Sequence, residues 1–184
     1  MNYIIVDCEH IDRVTFNISV QFERMLERQI PKADVSRWLE CVALDGGVRN
    51  GENETHVAFV HDKETTAFGN FTPADFAKEL HEKAFRSDLG EFSMACYPVE
   101  ELVSKSDLIC EMIKQVGKDE KTERIMVTAD MDEYGNAVRD AVLKTSEKDI
   151  TLFAMSPITG RGFHQENLGY SLLAALGIRG DELK

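Results

Sequence analysis

The chain has 184 residues, 43% of them hydrophobic and 29% charged, with a formal net charge of −12. These proportions are ordinary for a globular protein and exclude disordered and low-complexity classes; at this length one core can bury roughly 70% of the unfolded surface without a disulfide or a metal. The acidic balance argues against a broad phosphate-neutralising surface and gives no sign of DNA binding, but leaves room for a small catalytic groove.

The first apolar run, Tyr3-Ile4-Ile5-Val6, is too short for a signal peptide, and no later run approaches ~18 residues, so a cytoplasmic protein without a membrane segment is expected. Being continuous and closed by Asp7, that run reads as a strand buried on both faces. Apolar residues then recur at helical spacing from Thr15 to Ile30, where Pro31 ends the helix. Val35, Trp38, Leu39 and Val42 give a second helix, stopped by Asp45-Gly46-Gly47, with a polar loop over Val48 to Thr55.

His56 to His61 is the second strand, and Thr65 to Phe68 is expected to return as a short edge strand. Thr72-Pro73-Ala74-Asp75 reads as a helix start capped by Thr72, directing Phe76, Leu80, Ala84 and Phe85 to the core. Phe92 to Tyr97 is a third strand stopped by Pro98, and a helical stripe runs from Val99 through Leu102, Ile109 and Ile113 to Val116, closed by Gly117.

Arg124 to Thr128 is a fourth buried strand ending in Ala129-Asp130-Met131-Asp132, with a helix from Tyr134 to Leu143. Ile150 to Met155 is the fifth strand; the loop Ser156 to Phe163 leads to a last helix over about residues 166–177. Strands alternating with helices imply a single α/β domain over residues 1–184, a three-layer α/β/α arrangement around a mostly parallel sheet of about five strands.

In such sheets ligands bind beyond the carboxyl ends of the strands, where strand order reverses. That rule selects Asp7, Glu9 and His10 after the first strand, Asp130 and Asp132 after the fourth, and Ser156 after the fifth. Carboxylates held close together repel, so a convergent set implies a cation such as Mg²⁺ or Mn²⁺, or a protonated member. Asp132 also fits as the cap of the following helix and Asp130 as a turn residue.

The segment Ile4-Ile5-Val6-Asp7-Cys8-Glu9-His10 resembles the opening strand of NYN domains in the PIN-like nuclease superfamily, with His10 where that family carries an Asn. Lys105-Ser106-Asp107 resembles its lysine followed by an aspartate, with the spacing about one residue short. Met126-Val127-Thr128-Ala129-Asp130-Met131-Asp132 resembles its Ser-Gly-Asp-x-Asp element, with Thr128 and Ala129 replacing Ser and Gly.

The resemblance spans roughly the first 155 residues and implies a PIN/NYN-like fold and metal-dependent hydrolysis of RNA. It casts Asp7, Asp107, Asp130 and Asp132 as ligands of Mg²⁺ or Mn²⁺ or as water positioners. His10 beside Asp7 would act as acid, base or phosphate contact. Arg161 and Ser156 sit in a loop that can approach a phosphate, as does Lys105 if its helix bends toward the cluster.

Two alternatives stand beside this reading. One is a non-catalytic binding or assembly module of the same fold. The other is a phosphatase resembling the haloacid dehalogenase superfamily with Asp7 as nucleophile, which expects a second Asp two residues on and a hydroxyl soon after; the chain has Glu9, and no Thr before Thr15. The four cysteines lie far apart and are expected to be reduced and mostly buried, and the sequence does not fix the oligomeric state, a dimer included.

Overall fold

A computed structural model, describing residues 1–145 and 147–184, places the N-terminal apolar run at the centre of the sheet. In chain order the elements are β1 (Asn2–Asp7), α1 (Cys8–Leu26), β2 (Ala33–Asp34), α2 (Val35–Asp45), β3 (Asn53–Asp62), β4 (Phe71–Thr72), a π-helical turn (Phe76–Leu80), β5 (Lys83–Ser87) and β6 (Gly90–Val99). They continue with α3 (Lys105–Lys118), β7 (Arg124–Thr128), α4 (Met131–Leu143), β8 (Asp149–Ala154), β9 (His164–Asn167), α5 (Leu168–Ala175) and a closing 3₁₀ turn (Gly180–Leu183).

The main sheet has the order β5-β6-β3-β1-β7-β8-β9, all parallel except for antiparallel β5. Its parallel strands, taken in the order they occur in the chain, follow the doubly wound pattern 3-2-1-4-5-6, whose order reverses beside the first strand. β1 therefore runs down the middle, paired with β3 on one side and β7 on the other. The sheet is larger than the five strands read from the sequence because β5 and β9 join it at opposite edges.

Alternation along the strands separates two cores. Ile4, Val57, Phe59, Phe92 and Met126 face α1, α2, α5 and the aromatic residues Phe68, Phe71 and Phe76. Ile5, Val60, Ile125, Val127 and Leu152 face α3 and α4 through Ile109, Ile113, Val138 and Ala141. Trp38 is fully buried in the first core and donates its indole N–H to Ser171 at 3.1 Å.

Several boundaries depart from the sequence reading for identifiable reasons. α1 begins at Cys8, directly after β1, because Asp7 caps it by accepting the His10 backbone N–H. The helix expected to start at Thr72 is instead a five-residue turn capped by Asp75, after which Ala84 and Phe85 enter β5. Thr65–Phe68 supplies only a bridge between Ala67 and Asp75.

Pro98 does not stop β6, which continues to Val99, and Leu102 is 99% exposed in a loop before Ser104 caps α3. The last helix is shorter than expected, ending at Ala175. All four cysteines are free thiols, three of them buried. No helix among the described residues is long and apolar enough to cross a membrane.

Gly90 opens β6 at φ +102°, and a Cβ there would lie 2.1 Å from the Asn53 carbonyl oxygen. Gly177 also has positive φ, +73°, but a Cβ would meet nothing within 4 Å. Gly90→Ala is therefore expected to cost more than about 2 kcal/mol, against about 1 kcal/mol for Gly177→Ala, where only backbone conformation opposes the methyl group. Urea unfolding midpoints of the two variants measure the difference.

Candidate functional site

The order reversal beside β1 opens a site at the carboxyl ends of β1 and β7. Asp7, the last residue of β1, is 1% exposed, and among the described residues no other carboxylate is so deeply buried. A buried carboxylate must be neutralised or fully hydrogen-bonded to stay ionised at tolerable cost. Three helices meet that demand. The His10 N–H of α1 donates to Asp7 Oδ1 at 3.2 Å, Lys105 Nζ at the start of α3 lies 3.0 Å from the same oxygen, and the Tyr134 hydroxyl of α4 donates to Oδ2 at 2.6 Å.

Lys105 is shared. Its ammonium lies 2.9 Å from Glu9 Oε1 and 4.0 Å from Asp62 Oδ2, and the Glu9 carboxylate also accepts the Asp62 backbone N–H at 3.2 Å. Burial pulls the Lys105 pKa down, but the Glu9 and Asp7 carboxylates outweigh it and the net direction is up, so the side chain stays charged. Burial first, and then the negative charge of Asp7, push the Tyr134 phenol well above its ordinary value, so it remains a donor. Tyr134 sits at a non-helical residue in the first turns of α4, φ −136° and ψ 34°.

Asp130, at the end of β7, is the N-cap of α4, accepting the Glu133 N–H at 3.1 Å. Its other oxygen accepts from Arg13 at 3.3 Å and lies 3.6 Å from His10 Nδ1. The capping role read for Asp132 thus belongs to Asp130. Asp132 is exposed in the first turn of α4 and lines a cleft of about 220 Å³ together with His10, Ala129, Arg139, Ser156 and Thr159.

The structure thus gathers Asp7, His10, Lys105, Asp130, Asp132 and Ser156 around one end of the sheet. Asp107 is exposed on α3; its backbone N–H is taken by the Ser104 hydroxyl, and its carboxylate has no ion pair or hydrogen bond among the described residues. Arg161 is exposed and does not line the cleft. Arg13, Tyr134 and Arg139 are site residues for which the sequence reading had no such role. Glu9, which its position two residues past the end of β1 had selected, joins them as the second partner of Lys105.

These residues do not fit Mg²⁺ or Mn²⁺. Both oxygens of Asp7 are engaged by Lys105 and Tyr134, Glu9 is held by Lys105 and a backbone N–H, and Asp130 is committed to capping and to Arg13. Of the acids gathered at this end of the sheet, Asp132 alone keeps its carboxylate unbonded, and no group of three or more His, Cys, Asp or Glu among the described residues is arranged to hold a metal ion.

The chain belongs to a family of unknown function (DUF6621), whose pattern matches residues 1–183. Neither a curated protein nor a solved structure matches it.

Two outcomes follow from this geometry. Lys105→Met strands a buried carboxylate and is expected to cost about 3–5 kcal/mol, whereas Asp7→Asn combined with Lys105→Met is expected to recover most of that loss, as a double-mutant cycle in urea would register. His10 gives a pH signature. Burial lowers its pKa, with Asp130 and Asp7 opposing only in part, so the folded state keeps the ring neutral below its ordinary 6.5. Stability from this group is full above about pH 6.5 and is lost as pH falls toward the lowered value. His10→Gln is expected to flatten the urea midpoint in that window.

Proposed function

We propose that this chain is a non-catalytic binding module on a PIN/NYN-like α/β scaffold, holding a small anionic ligand in the cleft beside its buried Asp7. The observation that carries this reading is the Lys105 ammonium, 3.0 Å from Asp7 and 2.9 Å from Glu9. It acts as an internal counter-ion where a metal-dependent nuclease would need those carboxylates free, and so no hydrolytic step through Mg²⁺ or Mn²⁺ is derived for them.

The cleft favours a small ligand. Its volume of about 220 Å³ falls below the range of roughly 300–1,000 Å³ typical of drug-sized sites. Arg139 offers a guanidinium fork and Ser156 a hydroxyl, both suited to phosphate or carboxylate oxygens, with His10 beside them. Asp132 in the same wall suits a ligand that also carries a donor and opposes a polyanion such as RNA.

Titrating inorganic phosphate into the ¹⁵N-labelled chain tests the proposal. Shifts confined to His10, Ala129, Asp132 and Ser156, weakened tenfold or more by Arg139→Ala, are the expected result. Absence of those shifts overturns it. So does tight Mn²⁺ binding by calorimetry that disappears in Asp130→Ala and accompanies cleavage of single-stranded RNA, which would restore the ribonuclease reading.

A further inference from the structure

The loop Ser156 to Phe163, between β8 and β9, supplies one wall of the cleft beside Asp7 through Ser156, Pro157, Ile158 and Thr159. The tip of this loop is anchored at both ends. Ile158 is buried in the second core, and the Gln165 side chain clasps its backbone, accepting the N–H at 2.7 Å and donating to the carbonyl at 2.9 Å. Phe163 packs against the same core. Only Thr159, Gly160, Arg161 and Gly162 lie between these anchors, all of them exposed.

Gly160 and Gly162 have φ of +134° and +88°, a conformation that L side chains rarely adopt. Gly160 also lies against the stem of Arg139 in the cleft wall, where an added Cβ would be 3.0 Å from Cδ. Arg161 follows Thr159 by two residues, so its Cα stays within about 7 Å of that wall residue. Its long side chain is therefore tethered within reach of the cleft mouth.

The Arg161 guanidinium is also uncommitted. Among the described residues, every other arginine except Arg24 makes a hydrogen bond or an ion pair. Arg24 stands in the last turn of α1, where the helix dipole favours a cation. At the site itself Arg13 is taken by Asp130, and Lys105 by Asp7 and Glu9. In a chain with 33 Asp and Glu against 21 Lys and Arg, an arginine left without a carboxylate beside a cleft is placed to receive one from a ligand.

We infer that Arg161 is a second anion contact of this cleft and that the ligand is a small phosphorylated amino acid, with its phosphate beside Arg139, His10 and Ser156, its ammonium on Asp132 and its carboxylate on Arg161. The inference rests on the anion-binding reading above and names its ligand class. Asp132 lines the cleft with its carboxylate unbonded and supplies the counter-charge for the ammonium. A second phosphate in place of the carboxylate would bring more negative charge against Asp132. A volume of about 220 Å³ suits the amino acid itself rather than a peptide.

Calorimetric titration of the full chain tests this with inorganic phosphate, phosphoethanolamine, O-phosphoserine, and phosphoserine blocked at both termini as in a peptide. O-phosphoserine is expected to bind at least tenfold more tightly than phosphoethanolamine, from which it differs by the carboxylate. Arg161→Ala should bring that ratio close to one, and Arg161→Lys should keep part of it. Asp132→Asn should reduce the advantage of phosphoethanolamine over inorganic phosphate. Urea midpoints of the variants check that each is folded.

Equal binding of O-phosphoserine and phosphoethanolamine, or a preference that survives Arg161→Ala, overturns this inference and leaves the anion-binding reading standing. Blocked phosphoserine binding as tightly as the free amino acid assigns the cleft to a phosphopeptide and overturns it as well. Failure of every probe to bind, inorganic phosphate included, overturns both.

Discussion

Burial of the Asp7 carboxylate at the end of the central strand is the constraint on which the rest of the site depends. A charge so placed is tolerable only with its bonds complete, and the three groups that complete them come from the starts of α1, α3 and α4. Each of those helices is thereby fixed at the sheet edge where strand order reverses. The geometry that anchors the helices also uses up the carboxylate, so structural role and metal chemistry compete for the same two oxygens.

The capping pattern explains why acids accumulate at strand ends in this chain. Asp7, Asp34, Asp75 and Asp130 are each the N-cap of the helix or turn that follows them. A parallel strand that passes directly into a helix needs such a residue, since the first helical N–H groups otherwise lack acceptors. An apolar strand closed by Asp is therefore common to many α/β chains, and the resemblance to a nuclease opening strand discriminates only weakly. Burial separates the cases: Asp34 is exposed and Asp75 partly so, while Asp7 is not.

The parallel strands were legible in the sequence because burial on both faces leaves continuous apolar runs, as in Ile4-Ile5-Val6 and Ile125-Met126-Val127. β9 was not, since His164-Gln165-Glu166-Asn167 is an exposed edge strand held by its backbone. The hairpin partner β5 was hidden for another reason. Phe76, Leu80 and Phe85 mimic a helical stripe, but Asp75 starts only a five-residue turn and Phe85 reaches the core from a strand, where it stacks on Phe92 at 4.7 Å. At the site, position along the chain found Asp7, His10 and Asp130, whereas Tyr134 gave no signal because its phenol looks like one more apolar member of a helix.

That same hairpin accounts for the asymmetry of the layers. The chain between β3 and β6 would, in a regular doubly wound fold, supply a covering helix; here it spends its length on Phe68, Phe71, the π-helical turn and β5, all serving the first core. Nothing is left for the opposite face, where α3 covers the centre and the outer strands stay open. The outer part of that face carries Glu54, His56, Arg86 and Glu91 beside the smaller Ser93 and Ala95, as on the solvated face of an antiparallel sheet. Nearer α3, Ala58 and Tyr97 line a shallow groove with Tyr3, Met112 and Val116, so solvated polar side chains stand in for the absent helix only toward the outer edge of this face.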